Sequence, residues 1–133
     1  MCLDKVRESR KEDNNEVTVY KTVVADWNNK TFYTAIMREL LVLNEWKRAH
    51  EDYRPLKSML DGVVYKAGYH SYRSLDDATR LTRRFGEIGP TGRTVAVECV
   101  ARGITTIGEQ DDVEVVVSKE IKVTRIVDDY FGG

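Results

Sequence analysis

Proline and cysteine are both scarce in this chain: two of each in 133 residues. Cys2 and Cys99 lie too far apart in sequence to form a disulfide framework and neither has a paired metal-ligand spacing, so both read as free thiols. Long apolar runs are missing too. None exceeds about five residues, where a bilayer-spanning helix needs about 20. The opening MCLDKVRESRKEDNNE lacks the apolar core of a signal peptide, and a cytoplasmic location is expected. Neither sign of charge is in excess. With 21 basic and 22 acidic side chains the net charge is −1, so the total charge does not favour nucleic acid or an anionic membrane as partner.

Patterned strands remain. Residues 1–15 are polar and read as a lead-in, with residues 16–133 as one domain, long enough to bury a core without staples. In EVTVYKTVVAD, Val17, Val19 and Val23 share one face and Tyr20, Thr22 and Val24 the other, which is strand alternation. The 34–53 segment fits either a helix, from the spacing of Ile36, Leu40, Leu43 and Trp46, or a hairpin turning at Asn44-Glu45. The hairpin reading is preferred. After the Asp61-Gly62 turn, VVYKAGYHSY is strand-like. Ser74 then opens a helix over about 75–85, with Asp77 placed as in a capping box and Leu75, Ala78, Leu81 and Phe85 as its apolar stripe. RTVAVECVARG is a strand, GEQDD a loop, and VEVVVSKEIKVTRIV two strands or one bent strand. The expected class is α+β: a curved, mostly antiparallel sheet of five to six strands with one helix.

Several short motifs run through most of the chain: MCL at the start, VYKTV from Val19, GYHSY from Gly68, SLDDA from Ser74, VECVARG from Val97 and SKEIKV from Ser118. In these the chain resembles a loose group of small, uncharacterised accessory proteins of phages and some bacteria. Two departures stand out. Similar proteins continue the Cys-bearing strand into a Pro-Lys-Gly turn where this chain has ARGITTIG, and they carry Gly at the position of Asn44. The resemblance implies a protein that binds and modulates a host or defence protein, in the manner of an anti-CRISPR.

Candidate chemistry is sparse. Cys2 becomes the mature N-terminus if Met1 is removed, and its own α-amino group could then act as base to the thiol. His70 titrates near neutrality at a strand end, where functional groups are often exposed. Glu98 points away from the apolar face of its strand. These three are the catalytic candidates, with a small Cys/His-dependent hydrolase or transferase as the alternative function. For each, the structural reading is preferred: a small apolar anchor, a packed imidazole and a solvated carboxylate. Tyr69, Tyr72, Arg73, Arg80 and Arg84 form the candidate partner-binding surface, because aromatic and Arg side chains anchor interfaces. The same arginines supply the second alternative, an RNA-binding face. His50-Glu51-Asp52 lacks the second His of a zinc protease, GEIGPTGR lacks the ending of a phosphate loop, and the Asp pairs lack calcium-loop spacing. No metal or cofactor is expected, and the leading reading is a non-enzymatic protein-binding protein.

Overall fold

The computed structural model describes residues 3–12, 14–34, 39–50, 53–85, 88–89 and 92–129. In chain order the elements are β1 (Lys5–Ser9), β2 (Val17–Ala25), β3 (Thr31–Thr34), β4 (Leu40–Val42), β5 (Trp46–Arg48), β6 (Leu56–Lys57), β7 (Val64–Tyr65), β8 (Tyr69–Tyr72), α1 (Leu75–Phe85), β9 (Ile88–Gly89), β10 (Gly92–Gln110) and β11 (Val113–Asp129). The polar start thus supplies an edge strand, β1, paired antiparallel with β10. Its charged composition suits an edge, where charge discourages pairing with other chains.

β10 and β11 are 19 and 17 residues long and form one continuous hairpin. Its turn is Asp111-Asp112, both with positive φ (51° and 64°), the geometry whose twist matches the flanking strands. Register shifts between Ala96 and Val97, Glu98 and Cys99, and Ile104 and Thr106 bend the hairpin, as bulges do. Bent this way, it closes a ring. β2 pairs with β10, β10 with β11, β11 with β8, and β8 returns to β2 at Tyr72–Tyr20. β3 and β4 extend from β2, and the chain then turns at Asn44 (φ 63°), whose N–H donates to the Val123 carbonyl at 2.8 Å. That places β5 on β11. A separate two-stranded sheet, β6–β7, lies outside the ring.

The main core fills the ring: Val19, Val23, Phe32, Val95, Val97, Cys99, Val116, Ile121 and Val123 are among its buried members. Alternation sends Val115 and Val117 the other way, where they meet Leu3 and Tyr65 in a second, smaller core. The run Val115-Val116-Val117 is therefore buried on both faces, which accounts for its lack of polar residues.

The α+β expectation is corrected, because nine strands form the main sheet and the chain is almost wholly β. A helical layer is needed where an open sheet leaves a face uncovered. Here strands cover strands. α1, the single helix among the described residues, is an attachment: Ala78 is fully buried, and its carbonyl accepts from the Thr22 hydroxyl of β2 at 3.3 Å. The count of five to six strands falls short because β1 lies in the segment read as a lead-in and because β3, β6, β7 and β9 are strands of only two to four residues.

Gly68, just before β8, marks a close approach: a Cβ there would lie 2.4 Å from the Ser118 carbonyl oxygen. That oxygen is backbone of a paired strand and has little room to yield. Gly68→Ala is expected to cost about 1–3 kcal/mol, read as a lower urea midpoint. An unchanged midpoint would show that β8 can move away from β11 without loss.

Candidate functional site

His70 sits on β8 between the ring and the β6–β7 sheet. The Leu3 N–H donates to the Tyr65 hydroxyl at 2.8 Å. The same hydroxyl lies 3.2 Å from Nε2 of His70, and because the Gly68 carbonyl at Nδ1 can only accept, a neutral ring takes the phenol's proton at Nε2. With Nε2 accepting, Nδ1 carries the proton and donates to the Gly68 carbonyl at 3.3 Å. Both ring nitrogens are used and the ring is neutral. Burial first, then the nearby Lys21 charge, push its pKa down to about 4. A group so placed joins the chain start, β7 and β8.

Lys21 shares the inner face of β2 with Val19 and Val23, and its Nζ donates to the His70 carbonyl at 2.6 Å. Burial holds its ammonium below the usual lysine range, opposed in part by Cys99 and Glu39. Tyr69 also points inward. It is 3% exposed, and its hydroxyl donates to Glu39 at 3.0 Å. Burial, then Glu39, raises its pKa. Cys99 lies in the main core, where burial pushes its thiol up to about 12, too high for a nucleophile at neutral pH.

The two catalytic candidates within the described residues, His70 and Glu98, have separate partners. Glu98 faces outward, bonded to Arg125 at 2.9 Å and to the Thr124 hydroxyl at 3.2 Å, and the Arg125 hydrogen bond keeps its carboxyl below the usual range. Cys2 lies outside the described residues. Among the described residues, no three His, Cys, Asp or Glu side chains cluster as metal ligands would.

The partner-binding candidates also separate. Tyr69 is removed from the surface by its burial, and Tyr72 is half-buried. Arg73 is exposed, and Arg80 reaches Asp77 at 3.3 Å one helical turn away. Arg84 lies in α1 at a position whose side chain is outside the described part. Aromatic and cationic groups do meet elsewhere: the Arg102 guanidinium stacks 3.9 Å from the Trp46 ring centre while also pairing with Glu120 at 2.9 Å. That contact is internal to the fold.

The surface feature that sequence reading passed over is the tip joining β6 to β7. Met59 and Leu60 are each 71% exposed and Val64 is 64% exposed, with Val63 beside them. The tip is rigidly held. Met59 N–H donates to the Leu3 carbonyl and Leu60 N–H to the Asp4 carbonyl, both at 2.8 Å. Val63 N–H donates to the Ser58 hydroxyl at 2.8 Å, Ser58 bonds Asp61, and the other Asp61 oxygen accepts from Val6 N–H at 3.1 Å. Gly62 supplies the positive φ of the turn. The available signal was apolar pairs on both sides of Asp61-Gly62, where turn tips are usually polar.

No family model, curated protein or solved structure matches the chain.

His70 gives a pH test. Its folded pKa of about 4 lies below the ordinary 6.5 of the unfolded chain, so the unfolded state binds the extra proton. Stability is full above pH 6.5 and falls as the pH drops toward 4, by about 3 kcal/mol in all. Between pH 6.5 and 5 most carboxylates stay ionised, so that part of the loss belongs largely to the histidine. Urea midpoints at pH 7, 6 and 5 should fall for the native chain and stay nearly level for His70→Gln. Equal slopes in the two proteins would show that His70 is not held neutral.

Proposed function

We propose that the protein is a non-enzymatic binding protein that engages a partner protein through the β6–β7 tip. The observation that carries the reading is the fixed display of Met59, Leu60 and Val64 in solvent by a loop whose backbone groups are tied to the chain start and to Ser58 and Asp61. Scattered apolar side chains on a surface need no explanation, but a contiguous, ordered group of them marks an interaction site. Order matters energetically. A loop already fixed loses little conformational freedom on binding, so more of the burial energy appears as affinity. Among the described residues, the engagement of His70, Glu98 and Cys99 in hydrogen bonding, ion pairing or core packing supports binding over catalysis. Resemblance to phage accessory proteins points to a host or defence protein of the bacterial cytoplasm as the partner class.

Burying a Met or Leu side chain contributes about 1.5–3 kcal/mol. Replacing both by serine should therefore weaken binding at least tenfold while leaving the thermal midpoint within about 1 °C, since neither side chain packs in a core. The check is affinity capture from bacterial lysates with the native chain and Met59→Ser/Leu60→Ser in parallel. A stoichiometric partner held by the first and lost by the second supports the reading. Equal retention by both, or no stoichiometric partner across a panel of hosts, overturns it.

A further inference from the structure

A recess of about 170 Å³ opens where the end of β1, β7 and the bulge of β10 meet, lined by Arg10, Val64, Tyr65, Lys66 and Thr105 together with small hydroxyl neighbours. It is several times the roughly 30 Å³ that one water takes in the liquid. Its lining carries two cations and no carboxylate.

Thr105 is the distinctive member. It is the extra residue of the bulge, since Ile104 pairs with Ser118 and Thr106 with Val117. It is 4% exposed, and its hydroxyl has no hydrogen-bond partner among the described residues. A buried hydroxyl left without a partner costs about 1–3 kcal/mol, so its retention calls for an explanation. Bulges frequently re-aim a side chain at a site. The Thr105 carbonyl meanwhile accepts from Arg10 N–H at 2.9 Å, which fixes the arginine backbone at the rim. Among the described residues the Arg10 guanidinium pairs with the Glu8 carboxylate, at 3.1 Å, an exposed pair of the kind that contributes little. Lys66 is exposed and has no ion-pair partner among the described residues.

We infer that this recess binds the phosphate group of a small phosphate monoester. The Arg10 fork and the Lys66 ammonium supply charge-assisted hydrogen bonds to the phosphate oxygens, and the Thr105 hydroxyl donates the bond it otherwise lacks. The volume exceeds that of a bare phosphate and leaves room for the first atoms of the group that carries it. Val64 provides an apolar wall for those atoms.

The test is titration of the ¹⁵N-labelled chain with inorganic phosphate, with ribose 5-phosphate and with sodium chloride at matched ionic strength. Saturable shifts at the amides of Arg10, Lys66 and Thr105 are expected with both phosphates and not with chloride, with ribose 5-phosphate at least threefold tighter. Thr105→Val should weaken both by fivefold or more while the thermal midpoint holds or rises, and Lys66→Gln should weaken both without altering the midpoint. Met59→Ser/Leu60→Ser should bind phosphate normally, which keeps this site separable from the protein-binding reading. Shifts that grow linearly and are reproduced by chloride, or binding undiminished in Thr105→Val, would overturn the assignment.

Discussion

Closure of the strand ring is the constraint on which the rest of the molecule depends. β2 and β8 meet at one residue pair, Tyr20–Tyr72, so the ring holds only if the β10–β11 hairpin bends far enough to bring them within reach. Bending needs bulges, and it needs a turn whose twist matches long strands. Asp111-Asp112 provides the turn in a left-handed conformation that few non-glycine residues adopt readily. Gly103, with φ 69° and Glu12 packed against it, sits at the bend where β10 passes from its β2 partner to its β1 partner. Because Cys99 pairs with Val19, the ring joins segments distant in sequence and cannot form until nearly all of the chain is present.

The closed ring and the small core beside it leave little room for polar groups, and several of those present bond to one another. Lys21 meets the His70 carbonyl, His70 meets Tyr65 and Gly68, and Tyr69 meets Glu39. The same residue types, a histidine between tyrosines beside a lysine, are what an acid–base site uses. The donor sequence distinguishes the two roles. A catalytic imidazole needs one nitrogen facing substrate, whereas here the Gly68 carbonyl, which can only accept, holds the proton on Nδ1 and leaves Nε2 to the Tyr65 phenol. Burial then keeps the ring neutral across the physiological range.

Much of the strand pattern was legible because alternation is a local property: β2 and the first half of β10 lie where valine spacing places them, and the strand-like VVYKAGYHSY divides into β7 and β8. The inward direction of Lys21 was legible too, since it shares parity with Val19 and Val23, although a lysine invites the assumption of exposure. What could not be read is which strands close on which. A helix-capping signal at Ser74 describes eleven residues correctly as helix without saying that the remainder needs no helical layer. Tyr69 and Tyr72 illustrate the limit for sites. One residue is buried and the other half-buried because β8 runs between two cores, and nothing in GYHSY reports the second core. The recess depends on contact between residues far apart in sequence, as with Arg10 and Thr105, so nothing local reports it, whereas the tip left a trace in the apolar pairs flanking Asp61-Gly62.

β7 shows how exposed side chains coexist with so demanding a core. Val64 of β7 and Lys66 just after it turn outward, Val64 to both the exposed tip and the recess and Lys66 to the recess, while Tyr65 between them seats in the small core and bonds His70. Period-two geometry keeps these tasks apart, because a change at Val64 or Lys66 alters an outward side chain and leaves the phenol seated. β6 and β7 also stand outside the ring, tied to it through Leu3, Asp4 and Tyr65 rather than through main-sheet pairing. Exposed side chains of the β6–β7 tip can therefore change without reopening the ring, whereas the same freedom at β2, β8 or β10 would disturb the register that closes it.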